Sequence, residues 1–391
     1  LIVWTTRSEN ETTHEHGGIT FRNHMLPYWV ETVRHGGGAG QPLILAQNMC
    51  EKAEDEQRRP PVDDAILDAF PACKLVQYSA KLDRGRRALD EAIQQAVDWH
   101  WERQGQIRIG KGRLAARRRL EALQQDDAAR PAAERRHRTM TRAEFDALCE
   151  EVGGVSSTDA LLDYLDAANV IIHRPGLFQG QIILDHAWAL DAVYSVFDRK
   201  TCYQPLKAQR GRFTRSLLAA LVWRDHGEAE QELFLDLMTS CGVAFVHREG
   251  DPRRRLETEY IAPDLLPGRG AIESELDWMW GEHAPGDTLT VTLPFLRPGL
   301  MRGLISRIGG EAGLSAIYWK DGVCFFEQGT RSRALIEQHP DTTPDRWGGR
   351  LVVETRGGDA RALLGRLRRW LEEVLQREGG TGWTIDGPPA E

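Results

Sequence analysis

The sequence has 391 residues, of which 41% are hydrophobic and 28% charged, and its net charge is −8. This length exceeds one typical domain, so two or three domains are expected, and the composition excludes a largely disordered chain. The acidic balance argues against a nucleic-acid-binding surface over the whole chain. The six cysteines form no Cys-x-x-Cys pair, which favours reduced thiols, and no apolar stretch reaches the roughly 18 residues of a membrane helix. We therefore expect a cytoplasmic protein with no membrane partner.

The first 103 residues alternate between apolar strands and amphipathic helices. Short apolar runs favour strands buried on both faces, whereas apolar residues spaced three and four apart favour helices. The resulting βαβαβα order implies a parallel α/β sheet with right-handed crossovers. The predicted strands are Leu1–Thr6, Pro42–Gln47 and Lys74–Tyr78, and the predicted helices are Asn23–Arg34, Val62–Phe70 and Asp83–His100, the last with Asp83 as its N-cap.

The remaining residues change character twice. A glycine-rich and basic stretch at 104–140 contains a predicted helix, Arg113–Gln125, and short helices with brief strands dominate from 141 to 270. The helices predicted there are Thr141–Glu151, Ser157–Ala168, Ala187–Phe197, Thr214–Val222 and Glu228–Ser240, and the strands are Val170–His173 and Gln181–Leu184. From 271 onward strands dominate, at Ala271–Trp280, Thr288–Phe295, Ser315–Trp319, Val323–Glu327 and Leu351–Thr355, with helices at Pro298–Ile308 and Asp359–Arg377.

Two short polar motifs follow the second and third predicted strands. Asn48-Met49-Cys50-Glu51 ends one strand, and Ser79-Ala80-Lys81 ends the next about thirty residues later. Either motif alone is more simply a strand end whose Asn48 and Glu51 cap the next turn. Their order and spacing within one βαβ frame instead match the two loops with which Ras-like G domains read a guanine base.

In such a site the acid accepts hydrogen bonds from the guanine N1 and N2 donors, and a backbone N–H of the second loop meets the guanine carbonyl. Buried polar contacts of this kind can discriminate between bases by orders of magnitude. Here Glu51 is one methylene longer than the usual Asp, and Met49 packs on the ring but supplies no ammonium. Ser79, Ala80 and Lys81 keep the motif intact, with the Lys81 stem covering the ring. The predicted guanine-binding residues are Asn48, Met49, Glu51, Ser79, Ala80 and Lys81.

The whole chain resembles the Roc–COR tandem of the Roco family. The residues that carry this resemblance lie in both halves: Tyr28-Trp29-Val30, Leu161–Leu165, Gln181–Trp188, Phe234–Met238, Gly242–Phe245 and Tyr260–Pro267. The resemblance implies the C-terminal half of a Ras-like Roc domain at 1–103 and a linker with the first COR helix at 104–140. A mainly helical, winged-helix-like COR-A at 141–270 and an α+β COR-B with a mostly antiparallel sheet at 271–391 would follow. His186, Met49 and Glu51 depart from the family's Pro, Lys and Asp.

The resemblance also implies a function. Roco proteins, here of the bacterial type, are GTPases that couple nucleotide state to homodimerisation through COR-B in signalling, and many carry leucine-rich repeats upstream. No phosphate loop precedes the guanine motifs, so we expect the other half of Roc upstream in the parent protein. GDP or GTP and Mg²⁺ are then expected only with that half. For this chain alone we predict no catalytic residue, no metal site and no GTP hydrolysis.

Two alternatives remain open: a pseudo-GTPase dimerisation scaffold that binds no nucleotide, and a winged-helix nucleic-acid-binding protein. The second rests on the basic runs Lys111–Arg119 and Arg135–Arg138. These runs are explained equally well by a helix whose arginines face solvent or form ion pairs. Gly105–Gly112 nearly matches a phosphate loop but ends in Gly where a hydroxyl must ligate Mg²⁺, which favours a linker. His14-Glu15-His16 lacks metal spacing and is predicted to lie in a surface loop.

Overall fold

The structure is a computed structural model, and it describes residues 1–11, 13–16, 19–105, 109–131, 134–281, 285–297, 299–343, 346–378 and 382–388. The strands are β1 (Ile2–Trp4), β2 (Thr13–His16), β3 (Ile19–Arg22), β4 (Leu43–Gln47), β5 (Cys73–Gln77), β6 (Thr139–Thr141), β7 (Gln181–Ile183), β8 (Arg212–Thr214), β9 (Phe245–Arg248), β10 (Glu259–Ile261), β11 (Pro285–Leu293), β12 (Ala316–Trp319), β13 (Gly322–Glu327), β14 (Ser332–Pro340), β15 (Gly349–Gly357) and β16 (Thr384–Asp386). The α-helices are α1 (Thr6–Asn10), α2 (Leu26–Val33), α3 (Asp64–Leu67), α4 (Arg86–Gln104), α5 (Lys111–Ala128), α6 (Arg142–Val152), α7 (Thr158–Ala167), α8 (His186–Ser195), α9 (Tyr203–Ala208), α10 (Arg215–Leu221), α11 (Glu228–Ser240), α12 (Glu273–Trp280), α13 (Leu300–Ala312) and α14 (Ala360–Glu378).

These elements divide into two compact units. The first comprises Leu1–Gln106, Arg269–Met301 and Ser315–Glu391, and the second comprises Ile107–Gly268 and Arg302–Leu314. None of the helices in the described residues combines the length and the apolar character needed to span a bilayer.

The first unit contains a parallel sheet in the order β1–β4–β5. All five residues of β4 are buried, as expected for an apolar strand covered on both faces. One face packs against α2 through Leu26 and Val30, and the other packs against α4 through Ala92. Helix α4 begins after Gly85, so the predicted N-cap at Asp83 is wrong. Gly85 has φ +81°, and a Cβ there would lie 2.1 Å from the Gln77 carbonyl oxygen, so the chain must turn before the helix can start.

The first unit also contains a six-stranded antiparallel sheet in the order β12–β13–β14–β15–β11–β16. Helix α14 packs against β11, β14 and β15, while α12 packs against β13. The strand predicted at Ala271–Trp280 is wrong: Ile272 and Leu276, four residues apart, are buried together in a helical arrangement. Strand β14, in the interior of the sheet, was not predicted because Arg333, Glu337 and His339 interrupt its apolar pattern.

The second unit is mainly helical around two clusters of apolar side chains. One cluster joins α5, α6 and α7 with the β6–β7 pair, and the other joins α8 to α11 with the three-stranded sheet β8–β10–β9. The predicted strand Val170–His173 is reduced to an isolated bridge between Ile172 and Ile183. Part of α13 belongs to this unit, where the Ser306 hydroxyl donates to the Gly242 carbonyl at 2.9 Å.

Gly112 shows why the phosphate-loop likeness is misleading. It lies in the first turn of α5, where a Cβ would approach the carbonyl oxygen of Gly153 to 2.3 Å. The glycine therefore allows α5 to pack against the segment that ends α6. The chain as a whole is a mixed helix and sheet protein with a small parallel sheet and a larger antiparallel one, which confirms the predicted fold class.

Candidate functional site

The two predicted base-reading loops lie side by side. Gln47 and Gln77 are register partners at the ends of β4 and β5, so the segments that follow them leave the same edge of the sheet. The Asn48 Oδ1 accepts a hydrogen bond from the Ala80 N–H at 3.1 Å. The Lys81 ammonium lies 3.1 Å from the Glu51 carboxylate. The fold thus joins residues that are about thirty positions apart in the sequence into one polar surface.

The six predicted residues differ in their accessibility. Met49 is 58% exposed and adopts a positive φ of 65°, whereas Ser79 is only 1% exposed and its Oγ accepts the Leu82 N–H at 3.3 Å. The side chains of Lys81 and Glu51 are 73% and 42% exposed. An ion pair exposed to this degree contributes about 0–1 kcal/mol, so it can open at little cost when a ligand arrives. Ser79 therefore shapes its loop, while Met49, Glu51 and Lys81 face solvent.

Arg84, which the sequence did not indicate, holds both loops. Its Nη1 donates to the Cys50 carbonyl at 3.0 Å, and its Nη2 forms an ion pair with Glu56. Its own carbonyl accepts the Ser79 N–H at 2.9 Å. No spacing rule points to this residue, because its role rests on one guanidinium reaching across to the other loop.

Two glutamines fix the segment that follows Glu51. The Gln47 side chain is 1% exposed, donates to the Asp55 carbonyl at 2.7 Å and accepts the Gln57 N–H at 2.8 Å. Gln77 donates to the Gln57 carbonyl at 2.9 Å. A buried amide that satisfies backbone groups on both sides makes a rigid connection. A polar residue at the end of a fully buried strand is the sequence signal that could have identified Gln47.

Cys50 lies within the first motif and is fully buried. Burial raises the pKa of its thiol, and the nearby carboxylate of Glu56 adds to this, while hydrogen bonding to Tyr78 and the charge of Arg84 oppose it. The thiol therefore stays protonated and unreactive at neutral pH. Cys50 serves as a small apolar side chain beneath the loop.

This surface carries the kinds of group that the predicted guanine site requires. Glu51 supplies a carboxylate acceptor, Ala80 a backbone donor, and Met49 with the Lys81 stem an exposed apolar cover. In this structure the Ala80 N–H is bonded to Asn48 and Glu51 is bonded to Lys81. A base would therefore have to compete with these contacts, of which the exposed ion pair is the weaker.

The other candidate groups lie away from the base-reading loops in the sequence. Asp126, Asp127 and His137 form a possible metal group among the described residues, but the carboxylate of Asp127 accepts the N–H groups of Arg136 and His137. Residues His14 to His16 form β2 of a hairpin, so the predicted surface loop is wrong, and the two imidazoles lie outside the described side chains. Arginines of the two basic runs are paired within the second unit: Arg117 with Glu121 at 2.7 Å, Arg135 with Asp185 at 2.8 Å and Arg138 with Glu230 at 3.0 Å.

Two tryptophans near the antiparallel sheet differ sharply in how much of the side chain is exposed. Trp319 is completely buried and donates to Glu337 at 3.2 Å, whereas Trp278 on α12 is 83% exposed. An aromatic side chain this exposed is a possible anchor for a partner surface, a use that the sequence could not separate from core packing.

The second unit is where a known family is recognised. Residues 116–266 match the family model COR-A, described as the C-terminal of Roc, COR-A domain. No curated protein matches the chain. The family match coincides with the helical unit that follows the parallel sheet, and it supports a Roco-type Roc–COR protein.

Proposed function

We propose that this chain is a Roc–COR module that couples the guanine-nucleotide state of Roc to homodimerisation through COR-B. The observation that carries the nucleotide part is the direct bond between Asn48 and the Ala80 N–H, with Glu51 and Lys81 on the adjoining surface. The parallel pairing of β4 and β5 brings two motifs about thirty residues apart to bonding distance.

In this proposal each residue has a separate task. Asn48 locks the two loops together, and Arg84 supports them from below through the Cys50 carbonyl. Glu51 breaks its ion pair with Lys81 and accepts hydrogen bonds from N1 and N2 of the base. Lys81 and Met49 then cover the ring. The phosphates and Mg²⁺ of a bound nucleotide supply the charge that switches a G domain, and their ligands belong to the phosphate-reading half of Roc.

A fluorescent-GDP titration of the protein that carries the complete Roc domain tests the nucleotide part. Saturable binding that excess ATP fails to displace supports a guanine switch. A site that recognised only the phosphates would also bind ATP, and GDP would then be displaced. Absence of binding at high micromolar protein contradicts it.

The dimerisation part has a candidate anchor in Trp278. It projects from the described part of α12, beside the antiparallel sheet of the C-terminal region, with 83% of its surface exposed. We expect Trp278→Ser to raise the dimer dissociation constant at least tenfold in sedimentation velocity. Tyr194→Ser, at a 67% exposed aromatic position on α8, is the matched control and should leave the constant unchanged. A dimer unaffected by Trp278→Ser would remove this residue from the interface.

One observation favours a second candidate function, a dimerisation scaffold without nucleotide. The Glu51 carboxylate and the Lys81 ammonium satisfy each other at 3.1 Å, so the surface is complete without a base. A protein that dimerises but binds no GDP in the titration above would support this scaffold.

A further inference from the structure

The first unit contains a polar cavity, of about 890 Å³, that neither the base-reading loops nor the family match involves. It lies between the end of α2 and one end of the antiparallel sheet. Its volume is within the range of roughly 300–1,000 Å³ that small-molecule sites occupy. The charged and aromatic residues that matter for its chemistry are Arg34, His35, His339, Arg346, Trp347 and Arg350.

The floor of the cavity is a row across three strands. Arg350 on β15 pairs directly with His339 on β14 and with Thr292 on β11. Directly opposed residues of antiparallel strands place their side chains on the same face, with Cβ atoms about 4.5–5.5 Å apart. Arg350 and His339 therefore stand next to each other on the face that lines the cavity.

The opposite wall is a π-helical turn, Arg34–Gly38, that continues α2. π-Helical turns are rare in proteins, and those that occur are often found at functional sites. Here the turn places Arg34 2.7 Å and His35 3.2 Å from the carboxylate of Glu31, whose side chain is only 9% exposed. His35 also stacks on Phe295 with a centroid distance of 5.5 Å, so this wall is tightly held.

The acids of the cavity are already engaged. Glu31 is bound by Arg34 and His35, Asp63 accepts the Ala65 N–H at 2.9 Å, and Asp341 accepts the Thr343 N–H at 2.9 Å. The pKa of Asp341 lies below its usual value. The bond from the Thr343 N–H is the largest cause, and a side-chain hydrogen bond with Thr343 and the charge of Arg346 add to it. Each carboxylate of this cavity therefore already has a hydrogen-bond or ion-pair partner within the protein.

The arginines on the sheet side are held less tightly. Within the described residues, Arg350 and Arg346 form no ion pair, although the charge of Arg346 acts on Asp341, and His339 has only a 3.7 Å approach to Glu337. The charges of the three arginines and three acids that line the cavity cancel formally. An anion would therefore be bound by hydrogen bonds from nearby donors, without long-range electrostatic attraction. Guanidinium groups present donors in a planar fork that fits phosphate oxygens.

We propose that this cavity binds a phosphate-bearing small molecule, with Arg350 and Arg346 as the principal donors and His339 beside them. The phosphate group would lie on the row formed by β14 and β15. The remainder of the molecule would extend toward the Trp347 side of the cavity. The site uses none of the base-reading residues and stands independently of guanine binding.

The test uses inorganic phosphate as the probe and the full chain as the protein. Phosphate is titrated at constant ionic strength against chloride, and binding is followed by isothermal calorimetry and by the melting temperature. The test variant is Arg346→Ala/Arg350→Ala, and the matched control is Arg87→Ala, whose side chain is 91% exposed on α4. Arg350→Lys keeps the charge but loses the fork.

Saturable phosphate binding by the wild type and the Arg87→Ala control is expected. The double variant should raise the phosphate dissociation constant at least tenfold, with an intermediate value for Arg350→Lys. Unchanged circular dichroism and an unchanged melting temperature in chloride would show that the double variant is folded. No saturable binding by the wild type, or equal binding by all four proteins, would overturn the proposal.

Discussion

The base-reading loops and the interior of the second unit each contain a polar contact between residues far apart in the sequence, but in opposite surroundings. In the loops, the Glu51–Lys81 contact is largely exposed. In the second unit, Trp223 is fully buried and its Nε1 donates to the Ala192 carbonyl at 2.9 Å. The buried contact lies in the apolar core, away from any ligand, whereas the exposed one can be exchanged for a ligand.

This difference explains why the two regions were recognised in different ways. The loops carry a short motif whose residue types are dictated by the base they would read. The second unit carries no motif for chemistry, and it is recognised by a family match that extends over residues 116–266. Experiments that change one kind of contact at a time can separate stability from ligand recognition.

The largest effect is expected for Trp223→Ala. Removing this side chain leaves a cavity and takes away one of the two donors to the Ala192 carbonyl, so the free energy of unfolding should fall by about 3–5 kcal/mol. Urea unfolding of the chain measures the change. Tyr194→Ala, on the exposed face of α8 in the same unit, should alter the unfolding free energy by less than about 0.5 kcal/mol. Equal effects at the two positions would refute the assigned burial.

A smaller effect is expected where α5 packs against the end of α6. Gly112→Ala places a Cβ 2.3 Å from the Gly153 carbonyl oxygen, and the forced separation should cost about 1–3 kcal/mol. At Gly110, two residues earlier, a Cβ would meet no atom within 4 Å, so Gly110→Ala is the control. If both alanine variants unfold at the same urea concentration, Gly112 is not a packing glycine.

Asn48→Ala removes the bond that joins the two loops. The contact is a single hydrogen bond at a partly exposed position, so the unfolding free energy should drop by only about 1 kcal/mol. Amide hydrogen exchange at Ala80 should nevertheless accelerate, because its N–H loses its only protein acceptor among the described contacts. Unaltered exchange at Ala80 would argue that the loops are held together without Asn48.

The smallest effect concerns pH. Burial, followed by the charge of Arg212, lowers the pKa of His247 on β9 below its ordinary 6.5, despite the nearby Glu259. The unfolded chain then takes up this proton first as the pH falls. The contribution of His247 to stability is therefore fully present above pH 6.5 and declines as the pH drops through the folded pKa. We expect His247→Gln to flatten the fall in urea midpoint between pH 7.5 and 5.5; an identical slope would contradict this.

The sequence predicted those parts of the structure whose residues act locally. Strand β4 is an unbroken apolar run, and α11 has apolar residues at regular helical spacing, so both lie where they were expected. Helix α12 was mistaken for a strand because its tryptophans and carboxylates alternate, although Ile272 and Leu276 carry the helical spacing. The interior strand β14 was missed because Arg333, Glu337 and His339 interrupt its apolar pattern, and the Arg269 that pairs with Glu337 lies far away in the sequence.

The candidate site shows the same limit. Asn48, Glu51, Ala80 and Lys81 could be named from the motifs because their types follow from the chemistry of a base. Arg84 could not, since its guanidinium acts on a carbonyl 34 residues away in the sequence. The cavity at β14 and β15 was equally invisible, because its row of side chains exists only once the strands are in register.

The most direct test of this account pairs two measurements on Glu51→Ala in the protein with a complete Roc domain. The account predicts that the urea midpoint stays within error of the wild type, because an exposed ion pair with Lys81 contributes little to folding. It also predicts that GDP affinity falls at least tenfold, because the carboxylate that reads the base is gone. Unchanged GDP affinity would contradict the central claim that these loops recognise guanine.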